Sequence, residues 1–424
     1  MLSKKGVYLP PFLEKKMLWY NLGINVIVGG ARLAARWNPK IQKWVEGRRG
    51  LMERIAQTIP SDERIVWLHA ASLGEFEQGR PVIEAVRQRL PEHKILLTFF
   101  SPSGYEIRKN YSGADYVMYM PFDTPGCAEE FVRRVKPEIA IFVKYEFWLN
   151  HLAALRASSC RTFLISAIFR PNSIFFRPWG GAFRKALTTY ETIFVQNETS
   201  RKLLAGIGVT NVQVAGDTRF DRVAKLCENA PKIDTVEQFK DGRTMVVAGS
   251  TWAPDEEVLL ESINAHPEVK WVIAPHEMKD THIDTFMSRI KGGAIRYTRS
   301  DDAELSKYQV MIIDTIGILS AIYNYADVAY VGGGFGAGIH NTLEPATYGI
   351  PLAFGPRYAK FREACQLIEY GAARSVSSAE EFAAWFESML ADKSLRAKAG
   401  AAAKAYTQSN LGATELILKA IVKE

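Results

Sequence analysis

Cysteine is scarce in this chain of 424 residues: four, at 127, 160, 227 and 365, with no CxxC pair. That spacing excludes a thiolate zinc site or a disulfide framework and fits a reducing compartment. Uninterrupted apolar runs of about 20 residues, the length a membrane-spanning helix needs, are also missing. No Asp-x-Asp pair is presented for a metal ion. His276 and His282 stand six apart, not the four that a zinc-protease helix requires. The glycines of 332–338 do not spell GxGxxG, and no acidic residue closes a strand about 20 residues on, which argues against a dinucleotide-dependent dehydrogenase. The formal net charge of +7 favours acidic partners. Its basic residues gather at the N-terminus without any DNA- or RNA-binding motif, so no nucleic acid is expected as a partner. Solenoid repeats and low-complexity tracts are absent too.

What the N-terminus does contain is MLWYNLGINVIVGGARLAAR, residues 17–36, apolar but broken by Asn21, Asn25 and Arg32. Lys4, Lys5, Lys15 and Lys16 precede it, Lys40, Lys43, Arg48 and Arg49 follow, and Trp19, Trp37 and Trp44 are interleaved. Two readings stand. One is an amphipathic helix packed on its own domain. The other, the expectation carried forward, is a segment lying in the bilayer interface, where tryptophans and cations flank an apolar helix. No small-residue cleavage site marks a signal peptide.

Beyond it, short apolar runs alternate with helical stretches. Strands are expected at 65–70, 95–100, 116–120, 139–143, 162–167, 192–196 and 212–215, then at 244–248, 271–274, 310–314, 328–331 and 352–354. Continuous apolar strands in βαβ alternation imply parallel sheets buried on both faces. The polar stretch 217–243 carries no strong strand signal and separates the two series. The expected division is a membrane-associating segment 1–50, a first Rossmann-like domain 51–220, a linker 221–243 and a second Rossmann-like domain 244–424 ending in helices.

The most informative stretch is YVGGGFGAGIHNTLEPATYGIPLAFG, residues 330–355. A strand runs into five glycines within seven residues. Glycine lets backbone N–H groups approach a ligand, and a following helix aims its positive end at an anion. Asn341 and Glu344, one turn apart, would share a face there. A carboxylate at that place accepts two hydroxyl protons of a ribose diol, so the stretch reads as a nucleotide pocket.

Four motifs occur in order: ASLGEFEQ (71–78), GSTWAPDEE (249–257), DTIGIL (314–319) and GIHNTLEP (338–345). After a basic apolar N-terminus, they resemble the 3-deoxy-D-manno-octulosonic acid (Kdo) transferases of Gram-negative bacteria over nearly the whole chain. The resemblance implies an α/β chain of the GT-B class, two Rossmann-like doubly wound domains facing a central cleft, with a membrane-associated N-terminal helix. It implies inverting transfer of Kdo from CMP-Kdo to the lipid A precursor (lipid IVA) in lipopolysaccharide biosynthesis. The partners are then CMP-Kdo, that lipid and an anionic membrane surface, at the cytoplasmic face of the inner membrane. The alternative is another GT-B transferase or a sugar-nucleotide epimerase using a different nucleotide sugar.

By this resemblance Glu75 is the catalytic base. Its competitor is Glu77, and its bland role is to charge a helix opening at Gly79. Ser250, Thr251, Gly317, Asn341 and Glu344 match donor contacts, and Ile316, His276 and Glu277 join them from neighbouring strand ends. Lys144, Glu146 and Arg170 follow strand ends of the first domain, where cations suit a lipid phosphate or the Kdo carboxylate. CMP leaves with a single phosphate, which backbone amides can meet, so no metal or other cofactor is expected. The chain departs from the family pattern at Trp252, where many members have histidine, and at Ile318, where glutamate is common.

Overall fold

The computed structural model describes residues 11–301 and 303–423, with side chains from residue 17 onward. The chain forms two compact units, one running to Asp221 and resuming at Gly412, the other Arg222–Leu411. The first holds β1 (Ile65–Ala70), β2 (Lys94–Phe99), β3 (Tyr116–Tyr119), β4 (Ile139–Val143), β5 (Arg161–Ala167), β6 (Thr192–Val195) and β7 (Val212–Val214). They pair in parallel in the order β3-β2-β1-β4-β5-β6-β7. The second holds β8 (Met245–Thr251), β9 (Lys270–Pro275), β10 (Ala294–Arg296), β11 (Val310–Ile312), β12 (Val328–Val331), β13 (Leu352–Phe354) and β14 (Ala373–Ser375). Their order, again parallel, is β10-β11-β9-β8-β12-β13-β14. Strand order reverses between β1 and β4 in one sheet and between β8 and β12 in the other. Loops at the carboxyl ends of such strands diverge and leave room for a ligand.

Helices cover both faces of each sheet, which is why the central strands are apolar throughout. In β1, Ile65 and Trp67 enter one core layer with Phe131, Phe142 and Leu152. Val66, Leu68 and Ala70 enter the opposite layer with Phe76, Val82 and Phe163, following the two-residue period of a strand. The helix Leu73–Arg89 lies close on this second layer because residue 79 is glycine. A Cβ there would stand 3.1 Å from Val143 and 3.2 Å from Leu68.

Three expected boundaries are corrected. Residues 221–243 are not an open linker: the helices Arg219–Glu228 and Asp234–Lys240 occupy most of them, the latter burying Val236 and Phe239. The second unit ends at Leu411 rather than 424. The last helix, Ala413–Val422, buries Ile417, Leu418 and Ile421 in the first unit's second core layer. Asp221 accepts from its first backbone amides, Gly412 N at 2.7 Å and Thr414 N at 2.6 Å.

Nor do residues 17–50 stand apart as a separate segment, and Lys4 and Lys5 lie outside the described residues. The helix Pro11–Ala34 packs Met17 and Tyr20 against the first core layer. Tyr20 donates to Asp123 at 2.5 Å, and Asn150 donates to Asn21 at 2.9 Å. No helix among the described residues is long and apolar enough to cross a membrane. Arg48, grouped above with the flanking cations, is buried. Its guanidinium donates to the carbonyls of Met120, Trp44 and Phe100 at 2.7–2.8 Å. It also stands 4.7–5.1 Å from the rings of Trp44, Phe100, Tyr119 and Phe122. Burial pushes its pKa down, with the nearby Tyr119 hydroxyl opposing. The delocalised charge is kept by its carbonyl acceptors and ring faces.

Arg48→Lys keeps the charge and loses the planar fork. It is expected to cost about 2–4 kcal/mol of stability by leaving buried carbonyls unpaired. A shift of the urea midpoint of less than about half a kilocalorie equivalent would show the guanidinium to be dispensable.

Candidate functional site

Each unit gathers polar side chains at the carboxyl end of its own sheet. In the first, β1 leads through Ala71 into the helix Leu73–Arg89, with Ser72 at its N-cap and Glu75 at the third helical position. The helix therefore opens six residues earlier than expected. S-x-x-E is the spacing of a capping box, in which both side chains bond backbone amides. Here the helix has no side-chain cap bond. The Ser72 hydroxyl donates to the Glu75 carboxylate instead. Glu75 is half-buried. Its competitor is engaged elsewhere: Arg108 donates to Glu77 at 3.0 Å.

Across the reversal point, Lys144 follows β4 in left-handed backbone (φ 70°) and is half-buried, its ammonium 5.9 Å from the Tyr145 ring. Glu146 does not face a ligand surface as expected of an acceptor contact. It is 6% exposed and turned inward. One of its oxygens faces His69 Nε2 at 3.0 Å and accepts from Trp148 Nε1 at 2.5 Å. His69 lies in β1, fully buried, and its Nδ1 faces both the hydroxyl (2.9 Å) and the carbonyl (3.1 Å) of Thr98. Arg170, after β5, is exposed. Among the described residues no hydrogen bond or ion pair joins Glu75 to Lys144, Glu146 or Arg170. They share a sheet edge rather than a contact.

In the second unit β8 ends on Ser250, half-buried in left-handed backbone (φ 54°), and Thr251. Thr251 is 1% exposed and donates its hydroxyl to Glu256 at 2.9 Å, so that hydroxyl is not offered to a ligand as expected. His282 faces the other oxygen of Glu256 at 2.8 Å. The glycines after β12 are spent internally. A Cβ at Gly332 would meet the Ser250 carbonyl oxygen at 2.3 Å, and one at Gly334 would meet the Gly355 Cα at 2.5 Å. Asp255, fully buried, accepts from Gly333 N, Trp252 N and Tyr330 OH, each at 2.9 Å. Burial raises its pKa, and those donors hold it partly down.

Sequence reasoning missed a ring stack spanning three strand ends. Trp252 stacks on His276, and His276 on His340, with centroids 4.6 Å apart in both pairs. The Trp252 indole N–H donates to His340 Nε2 at 3.2 Å. A ring nitrogen that accepts carries no proton, so His340 is held neutral with its hydrogen on Nδ1. Burial lowers its pKa, as does the neighbouring His276. Two signals pointed this way: an aromatic at Trp252, where the family pattern has histidine, and His340 inside the HNTLEP motif. Glu277 is exposed and paired with Lys279 at 2.5 Å. Ile316 is 87% exposed beside Gly317 (φ 96°), in the loop after β11.

Asn341 and Glu344 do meet. Asn341 accepts from Leu343 N at 3.1 Å and donates to Glu344 at 2.8 Å. Burial raises the Glu344 pKa, and the Asn341 amide and the Arg222 charge partly oppose it. Among the described residues, no group of three or more His, Cys, Asp or Glu side chains is placed to hold a metal ion.

Trp252→Phe keeps a ring in the stack and removes the indole donor. His340 is then expected to titrate closer to an ordinary histidine, followed by the NMR shifts of its ring protons; an unchanged titration refutes the tautomer assigned. Glu344 gives a second expectation. A carboxyl with a raised pKa takes up its proton sooner as pH falls, and a protonated Glu344 accepts fewer hydroxyl hydrogens. On the ribose role that the resemblance gives Glu344, CMP affinity is expected to weaken on acidification in the native chain and to lose that dependence in Glu344→Gln, as titration calorimetry across pH would record.

The family model described as 3-deoxy-D-manno-octulosonic-acid transferase (kdotransferase) matches residues 23–222. The 3-deoxy-D-manno-octulosonic acid transferase of Bordetella pertussis is 28% identical over 376 residues, 84% of this chain and 86% of that protein. The enzyme so described in Aquifex aeolicus is 26% identical, over 72% of this chain and 79% of its own. Among solved structures, UDP-GlcNAc 2-epimerase from Neisseria meningitidis bound to UDP-GlcNAc superposes with a TM-score of 0.59 at 15% identity, covering 85% of this chain and all of that one. A glycosyltransferase from Rickettsia africae gives 0.51 at 13%, over 85% of this chain and 98% of that one. Identities so low speak for the fold alone: paired parallel α/β sheets of the GT-B kind. Sequence likeness points further than the fold: over most of its length this chain is similar to the 3-deoxy-D-manno-octulosonic-acid transferases.

Proposed function

We infer that this chain is a glycosyltransferase that moves Kdo from CMP-Kdo to the lipid A precursor in lipopolysaccharide biosynthesis. The observation that carries this is the likeness to Kdo transferases along more than four-fifths of the chain. The family supplies the reaction, and the two strand-end clusters supply candidate roles. Glu75 acts as general base. It takes the proton of the attacking acceptor hydroxyl while that oxygen bonds to the anomeric carbon of Kdo and the bond to the CMP phosphate breaks. One displacement inverts the anomeric centre. Ser72 orients the carboxylate through the hydroxyl bond it donates. Glu77, engaged by Arg108, is the weaker candidate.

The second unit holds CMP. Asn341 and Glu344 take the ribose diol, and Ser250, Gly317 and His340 meet the phosphate with uncharged donors. A single phosphate leaving group asks less countercharge than a diphosphate, and the reaction is proposed to run without a metal ion. Lys144 and Arg170 receive acceptor anions. Glu146 positions β1 and β4 through His69 rather than touching the acceptor.

The N-terminal helix is proposed to rest on the anionic cytoplasmic face of the inner membrane. Its outward face exposes Leu18, Trp19, Leu22, Val26, Ile27 and Leu33, each more than half accessible, with Trp37 just beyond. Such a patch on a soluble surface asks for a covering partner.

Two measurements test the reading. Product mass spectrometry with CMP-Kdo and a tetra-acylated lipid A precursor should show Kdo addition. Turnover of UDP-GlcNAc without CMP-Kdo use would overturn it in favour of an epimerase. Glu75→Gln should lower kcat by about a hundredfold or more with unchanged CMP affinity, and near-native turnover would remove Glu75 from the chemistry.

A further inference from the structure

Beside the C-terminal end of the N-terminal helix lies a cavity of about 530 Å³ that none of the roles above uses. Arg32, Arg36 and Arg49 line it, with Gln42 and Glu46 from the helix Pro39–Glu46. Arg48 also contributes to the wall, but its guanidinium is committed to three carbonyls. The other three arginines are exposed and have no carboxylate partner among the described residues. Glu46 is the single acid in the lining, and it already accepts from Gln42 at 2.9 Å. Three guanidiniums converging on one cavity repel one another unless an anion joins them. Their planar forks suit the oxygens of a phosphate.

The surroundings say what carries that phosphate. Leu33 and Trp37, 55% and 74% exposed, stand next to Arg32 and Arg36 in sequence, and Val26 and Ile27 continue the apolar face along the same helix. The cavity wall itself adds Ala35, Val45 and Phe122, so a ligand there meets apolar side chains as well as cations. A free phosphate gains nothing from them; a lipid gains chain contact as well as charge pairing. We propose that the cavity binds the phosphate monoester of a lipid headgroup, so that the chain grips one lipid in addition to lying on a charged surface. A monoester carries more negative charge than a diester and presents three oxygens, which three forks can share.

The inference rests on the membrane-surface reading of the N-terminal helix, and the test separates the two. Full-length chain is sedimented with phosphatidylcholine vesicles containing phosphatidic acid, a monoester, or phosphatidylglycerol, a diester, at matched surface charge. Two variants lose equal charge: Arg32→Gln/Arg36→Gln from the cavity, and Lys40→Gln/Lys43→Gln from outside it. Diffuse attraction gives each cation near such a surface roughly fivefold in binding, whichever residue carries it. The proposal expects native chain to prefer phosphatidic acid, the lysine pair to keep that preference, and the arginine pair to lose it. A preference absent from native chain, or surviving in the arginine pair, overturns the site and leaves the membrane reading intact. Displacement from phosphatidic-acid vesicles by millimolar glycerol phosphate would assign the cavity to soluble phosphate and overturn the lipid claim. Failure to sediment with any vesicle sinks the membrane reading itself. All four residues are exposed, so unchanged thermal unfolding of both variants is expected and certifies the comparison.

Discussion

A carboxylate withdrawn from water among aromatic rings must be met by donors on the spot, since an unpaired one costs several kcal/mol. In the first unit Glu146 is met by His69 and Trp148. Behind His69 stands Thr98, whose hydroxyl also takes the Trp67 indole hydrogen at 2.8 Å. This chain of bonds joins β1, β2 and the segment after β4 at one end of the sheet. A second pair lies nearby: Asp123 and His151, 2.6 Å apart and fully out of solvent. Burial raises the Asp123 pKa, yet His151 and Tyr20 more than offset it and leave it lowered. The Trp67 ring lies 6.5 Å from one imidazole and 6.1 Å from the other. The first helical turn, which carries Glu75, thus follows a strand whose carboxyl end is pinned by polar bonds and rings. The base proposed at Glu75 would have to be held within a fraction of an ångström of its proton, and such a network provides that rigidity.

The second unit meets the same demand differently. One buried acid, Asp255, ties the first helical turn after β8 to the glycine loop after β12 through two backbone amides and the Tyr330 hydroxyl. At Gly332 and Gly334 the space a side chain would take is filled by the protein's own backbone. What they permit is the near-contact of β8 and β12, which brings Ser250, Trp252 and His340 to one edge. The groups offered there are mostly uncharged: the Ser250 hydroxyl and the His340 imidazole, whose Nε2 is already met by the Trp252 indole hydrogen. Neutral donors can follow charge as it develops on a leaving phosphate without binding the ground state too tightly.

Most of the central strands were legible because burial on both faces leaves an unbroken apolar signature. β10 and β14 were not. They are three-residue edge strands, Ala-Ile-Arg and Ala-Arg-Ser, whose composition follows from having one open side. Glu75 was legible as a strand-end carboxylate, but the start of its helix was not, since Gly74 in the first turn is a poor helix former and masks it. Glu146 looked like a ligand contact because a lone acid among aromatics reads the same whether it faces out or in. Only tertiary structure shows its imidazole partner 77 positions away. The return of the last helix to the first unit rests on one acid, Asp221, meeting amides 191 and 193 residues later. No local pattern encodes that.

Position also decides what the net charge means. Elsewhere many cations are answered locally: Arg64 by Glu92 and Glu138, Arg87 by Asp115, Arg161 by Glu191, Arg289 by Glu257. Exposed pairs of this sort add little stability, but they cancel the field that each partner would project. Arg32, Arg36, Lys40, Lys43 and Arg49, with no carboxylate partner among the described residues, fall within eighteen residues of sequence beside an exposed apolar helix face. Screening in salt limits any charge to a reach of about 8 Å. A mild excess spread evenly would therefore orient nothing, whereas the same excess gathered at one end presents that end to an anionic surface. On the proposed membrane reading, the apolar face next to it would convert a weak, salt-sensitive encounter into one sustained by burial, and the inward face of the helix, bonded to Asp123 and Asn150, would carry that attachment to the core of the first unit.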